Sequence, residues 1–382
     1  MKSYLSAFGK ALIVTSLPRY SIHRSMDRKF FSENSRYCKN TSSPAKINIQ
    51  FLNLSIFSPR RFGMPSFSTL NAAMFTLAKP NVFYYCNEKA VSCSGPRAMD
   101  DRITIADLWK AKQEHRRIAA VSCYDYTTAR LVSQVPVEVI LVGDSAAQSM
   151  LGFDSTLPAT MDFMVAITAA VRRGAPNVYL IADMPFLSYQ VSIPEAIRNA
   201  GRFVTEAGAQ MVKIEATAAH LNTIRAVVDA GIAVMAHIGI RPQSINMMGR
   251  FRAEATTAEM AIELIGLARR MVEAGTNALL IEGTAAEVAQ LITEQSDVPV
   301  ISCGSGAGCD GQILIAPDIL GLSQNRLPKF AKAYGELGAA AVEALRMYAE
   351  ETKAGRFPDA DHSYHMKPGE LQRLRDLSQT DH

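Results

Sequence analysis

The fold of this chain is decided by four apolar runs that each end on a carboxylate: VEVILVGD at 137–144, VYLIAD at 178–183, MVKIE at 211–215 and ALLIE at 278–282. Continuous runs of Val, Ile and Leu are typical of parallel strands that are covered on both faces. In a parallel barrel the carboxyl ends of the strands converge on one rim, where the chemistry of such folds is located. The pattern therefore predicts that four acids converge there: Asp144, Asp183, Glu215 and Glu282.

Strand-like and helix-like segments alternate from residue 103 to residue 353. Further strands are predicted over 117–123, 233–236, 298–303 and 312–315, and a final helix over 335–353 is expected to close the domain. Eight strands, each followed by a helix or connection, predict an α/β fold of the (β/α)8 TIM barrel type. An open doubly wound sheet is the alternative. Its nucleotide-binding form needs a glycine-rich turn after the first strand, and Tyr124-Asp125-Tyr126 stands there instead.

Charge divides the chain into two unlike regions. Residues 1–98 hold 14 Lys and Arg against 3 acids, whereas residues 99–382 hold 26 against 33, although the whole chain has a net charge of +4. We expect an N-terminal extension over 1–98, a single catalytic barrel over 99–365 and a tail over 366–382. The mildly acidic barrel gives no support to nucleic-acid binding. No apolar run reaches the length of a membrane-spanning helix, so no membrane partner is expected.

The extension has three possible interpretations. It is basic, rich in Ser and poor in acids, as organellar transit peptides are, and residues 11–14 weakly resemble a secretory signal. The favoured interpretation is a disordered upstream extension without function, with Met99 as the working start. The six cysteines form no CxxC pair, which indicates reduced thiols. We therefore expect a cytoplasmic protein, or an organellar one if residues 1–98 are a transit peptide.

The residue types at the strand ends indicate a particular chemistry. Oxygen ligands without cysteine favour a hard ion such as Mg²⁺, although each acid is equally suited to capping the next helix. Lys213 and Glu215 are two residues apart and so face the same side of a strand. Lys213 is a candidate to pair with an anionic substrate, or else to form an internal ion pair. His237 is a candidate to hydrogen-bond a substrate oxygen, or else a core histidine.

Several longer motifs resemble one known family, the ketopantoate hydroxymethyltransferases, from about residue 103 to residue 365. Residues 1–98 have no counterpart in that family. The motifs that carry the resemblance are VGDS at 142–145, GFDSTLP at 152–158, AVRRGAP at 170–176, ADMPF at 182–186, MVKIE at 211–215, PQS at 242–244, DGQIL at 310–314 and PKFAK at 328–332.

The resemblance implies a (β/α)8 barrel that uses Mg²⁺. The implied reaction transfers a hydroxymethyl group from 5,10-methylenetetrahydrofolate to 3-methyl-2-oxobutanoate, giving 2-dehydropantoate for pantothenate biosynthesis. Glu282 would be the general base, and the partners would be the 2-oxo acid, the folate and further copies of the chain, commonly as a decamer. The implied metal site consists of Asp144, Asp183 and Glu215. The implied substrate contacts are Asp144, Ser145, Asp183, Lys213 and His237.

The chain also departs from that family's pattern. Ala146 and Ala147 stand where the family usually has a Leu-Gly-Met type of run after the Asp-Ser pair. Arg241 stands where Thr is common, and Pro317 stands where His is common. These departures concern the folate contacts and the substrate range expected for the family more than its basic chemistry. Two other hypotheses stay open: a Mg²⁺-dependent 2-oxo acid carbon–carbon lyase or mutase of the phosphoenolpyruvate mutase/isocitrate lyase type, and a non-catalytic barrel paralogue. The Lys-Lys-Cys-Gly-His loop typical of the lyases is not found in the sequence.

Overall fold

Eight parallel strands close into a barrel in chain order, which confirms the predicted (β/α)8 fold. A computed structural model describes residues 102–323 and 326–379, so the predicted extension over 1–98 lies outside the described residues. Because β1 and β8 pair with each other, the sheet has no open edge and the doubly wound alternative is wrong. The strands are β1 (Ile118–Ser122), β2 (Val139–Val142), β3 (Tyr179–Asp183), β4 (Met211–Glu215), β5 (Ala233–Gly239), β6 (Ala278–Glu282), β7 (Val300–Cys303) and β8 (Gly311–Ile315).

Helices follow most of the strands and cover their outer faces. The α-helices of the described residues are α1 (Ile105–Gln113), α2 (Tyr126–Val132), α3 (Ala146–Ser149), α4 (Met161–Gly174), α5 (Ile193–Thr205), α6 (Leu221–Asp229), α7 (Ile245–Met248), α8 (Ala258–Glu273), α9 (Ala286–Gln295), α10 (Ala316–Leu320), α11 (Leu337–Lys353) and α12 (Glu370–Gln379). Short 3₁₀ turns are formed by Ala218–His220, Pro242–Ser244 and Ala360–His362. None of these helices is long and apolar enough to cross a membrane.

Local sequence signals set several helix ends. The Ser192 side chain accepts a hydrogen bond from the Glu195 amide and so caps α5, as such a residue does when helix amides lack partners. Gly275 follows α8 with a φ of +96°, which glycine adopts without strain. The segment between β5 and α8 contains a 3₁₀ turn and the short helix α7.

Two apolar cores lie inside and outside the barrel wall. Side chains such as Leu141, Ile181 and Met211 fill the interior of the barrel. A larger cluster, which includes Phe203 and Ile224, packs the helices against the outer face. Because successive strand residues alternate sides, Met211 in the interior places Lys213 on the same side, one layer nearer the carboxyl ends. The polar site is therefore supported from below by a packed apolar layer.

Helix α11 departs from the expectation that it closes the barrel. Every residue of α11 is exposed except the buried Gly338 and the half-buried Ala349. On the barrel itself, Ala119 of β1 and Gln312 of β8 pair in register and are both exposed on the outer face. An apolar pattern in the sequence is the same whether a helix packs on its own barrel or on another surface, so the sequence alone did not reveal this arrangement.

A pair of helical glycines tests the packing between α2 and α4. A β-carbon at Gly174 would lie 2.6 Å from the Tyr126 carbonyl oxygen and 2.7 Å from Ala129 Cβ, whereas one at Gly201 would have nothing within 4 Å. We expect Gly174→Ala to lower the free energy of unfolding by about 1–3 kcal/mol through overpacking. Gly201→Ala should raise it by about 0.5–1 kcal/mol through better helix propensity. Urea denaturation measures both, and equal effects of the two substitutions would contradict the close helix contact.

Candidate active site

The carboxyl ends of β2 to β6 bring the predicted acids to one place. Asp144 follows β2 after one glycine, and Asp183, Glu215 and Glu282 are the last residues of β3, β4 and β6. Asp144, Asp183 and Glu215 are buried, whereas the Glu282 side chain is 22 % exposed. A continuous set of contacts links four of these strand ends, from Asp144 on β2 to His237 on β5, and an approach of 3.3 Å extends it to Glu282 on β6.

Asp183 lies at the centre of this set. Its Oδ2 atom accepts a hydrogen bond from the Asp144 amide at 2.9 Å and lies 2.9 Å from Lys213 Nζ. Its Oδ1 atom is buried and makes no hydrogen bond. Burial raises the pKa of Asp183 well above its usual value, and the Asp144 carboxylate acts in the same direction, while Lys213 opposes the shift. A buried carboxylate with one unused oxygen is an acceptor available to a cation.

The Lys213 ammonium is held inside the barrel by its acidic neighbours. Burial alone would lower the pKa of Lys213, but the Asp183 and Asp144 carboxylates raise it above its ordinary value. Lys213 therefore carries its positive charge at neutral pH. If the four strand-end acids are all ionised, their four negative charges exceed the single positive charge of Lys213. The net negative charge of the site would then favour the binding of a further cation.

His237 connects Lys213 to Glu282. The Lys213 Nζ and His237 Nδ1 atoms are 3.3 Å apart, and His237 Nε2 is 3.3 Å from Glu282 Oε2. The second approach lacks the angle of a hydrogen bond, so Nε2 stays unsatisfied although an acid lies beside it. The His237 imidazole therefore lies between the Lys213 ammonium and Glu282, the most exposed of the four acids.

A clamp formed by Gln243 holds Glu215 and Asp144. The backbone N–H of Gln243 donates to Glu215 Oε2 at 2.8 Å, and the side-chain Nε2 of Gln243 donates to Asp144 Oδ2 at 2.9 Å. The Ser244 hydroxyl donates to the other Glu215 oxygen at 3.0 Å. The Tyr189 hydroxyl lies 2.7 Å from Gln243 Oε1 and 3.0 Å from the Glu215 carbonyl oxygen. Both Glu215 oxygens are thus occupied by protein donors.

Ser145 lies beside the acids with a partner of its own. Its hydroxyl is 2.8 Å from the hydroxyl of Tyr124, which is buried at the end of β1.

Cys303 ends β7 next to Glu282, with which it pairs in register. Burial raises the pKa of the Cys303 thiol well above its usual value, and the Glu282 carboxylate adds to this effect. The thiol is therefore uncharged at neutral pH and is not a nucleophile there.

The donor set suits magnesium better than zinc. Within residues 102–323 and 326–379, no group of three or more His, Cys, Asp or Glu side chains is arranged to bind a metal ion. Mg²⁺ does not require such a group, because it is usually held by one or two carboxylates together with substrate and water. Asp144 and the unused Asp183 Oδ1 fit that requirement. The helix-capping alternative fails for Asp183 and Glu215, whose oxygens contact the site and not the following helices.

Sequence reasoning did not find three residues that shape this site. Gln243 belonged to a quoted motif, but nothing in the pattern indicated that its side chain folds back onto Asp144 across 99 positions. Tyr189 and Tyr124 are buried tyrosines whose hydroxyls reach polar groups of the site. A buried Tyr needs such a partner, yet an isolated Tyr in a sequence does not reveal which one it meets.

Comparison with known proteins identifies relatives over almost the whole described region. Residues 102–360 match the family model described as ketopantoate hydroxymethyltransferase. The chain is 41 % identical over 274 residues to 3-methyl-2-oxobutanoate hydroxymethyltransferase of Carboxydothermus hydrogenoformans, covering 72 % of this chain and 99 % of that protein. It is 45 % identical over 266 residues to the protein of the same name from Pelobacter propionicus, covering 70 % and 98 %.

A solved structure of 2,3-dimethylmalate lyase, a PEP mutase/isocitrate lyase superfamily member, is also similar. Its TM-score is 0.46 at 19 % identity, with 73 % of this chain and 94 % of that chain covered.

The buried ion pair can be tested through stability. Lys213→Met should lower the free energy of unfolding by about 3–5 kcal/mol, because it leaves buried carboxylates without their cation. Adding Asp183→Asn should recover part of that loss. The matched control is Lys110→Met, which removes an exposed lysine 3.8 Å from Glu114 and should change stability by less than about 0.5 kcal/mol. If the double variant loses the sum of the two single effects, Lys213 and Asp183 are not energetically coupled.

Proposed function

The chain belongs to the ketopantoate hydroxymethyltransferase family, and from this premise we propose that it transfers a hydroxymethyl group to 3-methyl-2-oxobutanoate. The proposed donor is 5,10-methylenetetrahydrofolate and the product is 2-dehydropantoate, an intermediate of pantothenate biosynthesis. The observation that carries the proposal is the contact set from Asp144 to Glu282. It brings buried carboxylates, an ammonium and the partly exposed Glu282 carboxylate together along one rim, which supports a cation site there.

Asp144 and Asp183 would hold Mg²⁺ through their carboxylates. Glu215 would act through water, because its two oxygens already accept hydrogen bonds from Gln243 and Ser244. When bound, the ion would polarise the carbonyl of the 2-oxo acid and so increase the acidity of the adjacent C–H bond. The excess of carboxylates over ammonium groups at this rim supports the assignment.

Lys213 and Ser145 would orient the 2-oxo acid. The Lys213 ammonium is buried and stays charged, so it is suited to balance the substrate carboxylate at short range. The Ser145 hydroxyl is half-buried and already positioned by Tyr124. His237, held between Lys213 and Glu282, would hydrogen-bond a substrate oxygen. These contacts would fix the C3–H bond towards β6.

Glu282 would accept the proton from C3. Of the four strand-end acids it is the one that is substantially exposed, so a substrate held against Lys213 can reach it. Loss of the proton leaves an electron pair at C3, which attacks the methylene carbon of the donor. The new C–C bond forms as one C–N bond of the methylene bridge breaks. Water then supplies a hydroxyl group to the same carbon as the second C–N bond breaks, and the protons from C3 and from water end on the two folate nitrogens, giving tetrahydrofolate. General-base catalysis requires reach first, and the partial exposure of Glu282 supports this role.

Two rival functions give different outcomes in the same assays. A carbon–carbon lyase or mutase would cleave or rearrange a 2-oxo acid without any one-carbon donor. A non-catalytic paralogue would bind the 2-oxo acid without turnover. Detection of donor-dependent 2-dehydropantoate distinguishes the proposed function from both. A cytoplasmic location stays a prediction, since residues 1–98 lie outside the described part of the chain.

We also propose that the protein self-associates through α11. Its apolar side chains Val342, Leu345 and Tyr348 are 57–67 % exposed, with the apolar residues spaced three apart on one face. The outer faces of β1 and β8 are exposed at Ala119 and Gln312. A second copy of the chain would bury the apolar face of α11 and could cover the exposed Ala119 and Gln312. The decamer stays an expectation from family resemblance.

Removing the proposed base tests the reaction. Glu282→Gln should reduce turnover by roughly a hundredfold or more while leaving binding of Mg²⁺ and of the 2-oxo acid nearly unchanged, because the amide cannot accept the proton. Glu287→Gln makes the same chemical change on the exposed first turn of α9 and serves as the control. Steady-state assays and calorimetry provide the measurements. Turnover within threefold of the unsubstituted protein would remove Glu282 from this role.

Self-association can be tested at the centre of the exposed helix face. Leu345→Glu should shift the protein to smaller species in sedimentation velocity, because it places a charge in an interface that would otherwise be apolar. Lys353→Gln at the end of α11 changes the charge by the same amount and should leave the distribution unaltered. An unsubstituted protein that sediments as a monomer would refute the proposal.

A further inference from the structure

Arg241 is a cation without an acidic partner at the rim of the candidate active site. It follows β5, and its Nη1 atom donates to the Gly239 carbonyl oxygen at 3.2 Å. Its Nε atom is buried and makes no hydrogen bond. Among the ion pairs of residues 102–323 and 326–379, none involves Arg241. Most of the donors of this guanidinium are therefore unused by the protein.

A structural arginine in the same fold has a different environment. Arg172 donates from Nε to the Gly208 carbonyl, from Nη1 to three further carbonyls and from Nη2 to Gln210. All of its nitrogens are thus satisfied, as expected for a guanidinium that holds loops together. The contrast indicates that Arg241 is retained in its position without the hydrogen bonds that would explain a structural role.

Arg241 belongs to the wall that surrounds the acids. It stands two residues before Gln243, which holds both Glu215 and Asp144. Its positive charge is felt at His220, whose pKa is lowered first by burial and then by Arg241. The His220 ring in turn contacts the edge of Tyr189, with 5.5 Å between the ring centroids. The unpaired cation is therefore part of the β4–β5 side of the mouth.

Apolar side chains are exposed on the same segment. Met247 is 92 % exposed and Phe251 is 50 % exposed, both within ten residues of Arg241. Phe186, on the loop after β3, is 40 % exposed at the same end of the barrel. Exposed apolar groups at the same end of the barrel as an unpaired cation fit a ligand with a flat apolar body and an anionic group. The 2-oxo acid is too small to use such a surface, and its carboxylate already has Lys213.

We propose that Arg241 binds a carboxylate of the glutamate tail of the folate donor and so determines donor affinity and specificity. This assignment rests on the proposed function. Arginine suits the role because its planar fork matches carboxylate geometry and its charge does not depend on pH. The donor would then lie with its rings over the apolar side chains and its tail towards the β4–β5 side.

The test measures tetrahydrofolate binding and donor kinetics in Arg241→Gln and Arg241→Lys. Calorimetry with tetrahydrofolate carrying one or three glutamates should show affinity lowered about tenfold in Arg241→Gln, with a smaller loss in Arg241→Lys. The donor KM should rise by a similar factor, while the KM for the 2-oxo acid changes less than twofold. Arg250→Gln, an exposed arginine on the same segment, is the control and should change neither KM.

Three results would overturn the assignment. Donor affinity in Arg241→Gln within twofold of the unsubstituted protein would do so when thermal unfolding shows that the variant is folded. A rise in the KM for the 2-oxo acid alone would mean that Arg241 meets that substrate's carboxylate instead. Equal losses in Arg241→Gln and Arg250→Gln would indicate a general charge effect. Failure of the unsubstituted protein to use the donor at all would refute the proposed function itself, which separates the two outcomes.

Discussion

Lys213 carries a positive charge into the interior of a parallel barrel, where an unpaired ammonium would be strongly unfavourable. Asp183 compensates it at 2.9 Å, and the Asp144 backbone amide donates a hydrogen bond to the same Asp183 oxygen. The Asp144 carboxylate also raises the pKa of Lys213. Each group depends on the others, because removal of the ammonium leaves the acids repelling one another and removal of the acids leaves the ammonium unpaired. This dependence fixes the carboxyl ends of β2, β3 and β4 relative to each other. The rest of the site is built on that arrangement.

Further contacts extend from Lys213 and its acids in both directions along the rim. Towards β5 and β6, His237 lies between Lys213 and Glu282, the most exposed of the four strand-end acids. In the other direction, Gln243 donates hydrogen bonds to both Glu215 and Asp144. The Oδ1 atom of Asp183 has no hydrogen-bond partner. The site thus separates the acids by environment. The buried pair is suited to holding a cation, and the exposed acid is suited to moving a proton. Family membership and this geometry are both compatible with the proposed reaction.

The sequence predicted the barrel and the convergence of the acids because both follow from local patterns. A run such as VILV at 139–142 is typical of a strand covered on both faces, and the carboxyl ends of parallel strands meet on one rim. The clamp by Gln243 was not predictable, since it depends on how the chain after β5 folds back. The exposure of α11 was not predictable either, because its apolar residues look the same whichever surface covers them. Arg241 was noticed as a departure from the family pattern, but only the structure shows that its Nε atom has no partner.

We propose that the strand-end acids hold a divalent cation and that Lys213 holds the carboxylate of a 2-oxo acid, so that Glu282 can remove the C3 proton of this substrate. Proton exchange at C3 of 3-methyl-2-oxobutanoate, followed by nuclear magnetic resonance in heavy water, measures this step without the folate donor. The account predicts that the protein accelerates exchange when Mg²⁺ is present and that a chelator abolishes the acceleration. Exchange that proceeds at the protein-free rate with Mg²⁺, or at the same accelerated rate after chelation, would contradict it.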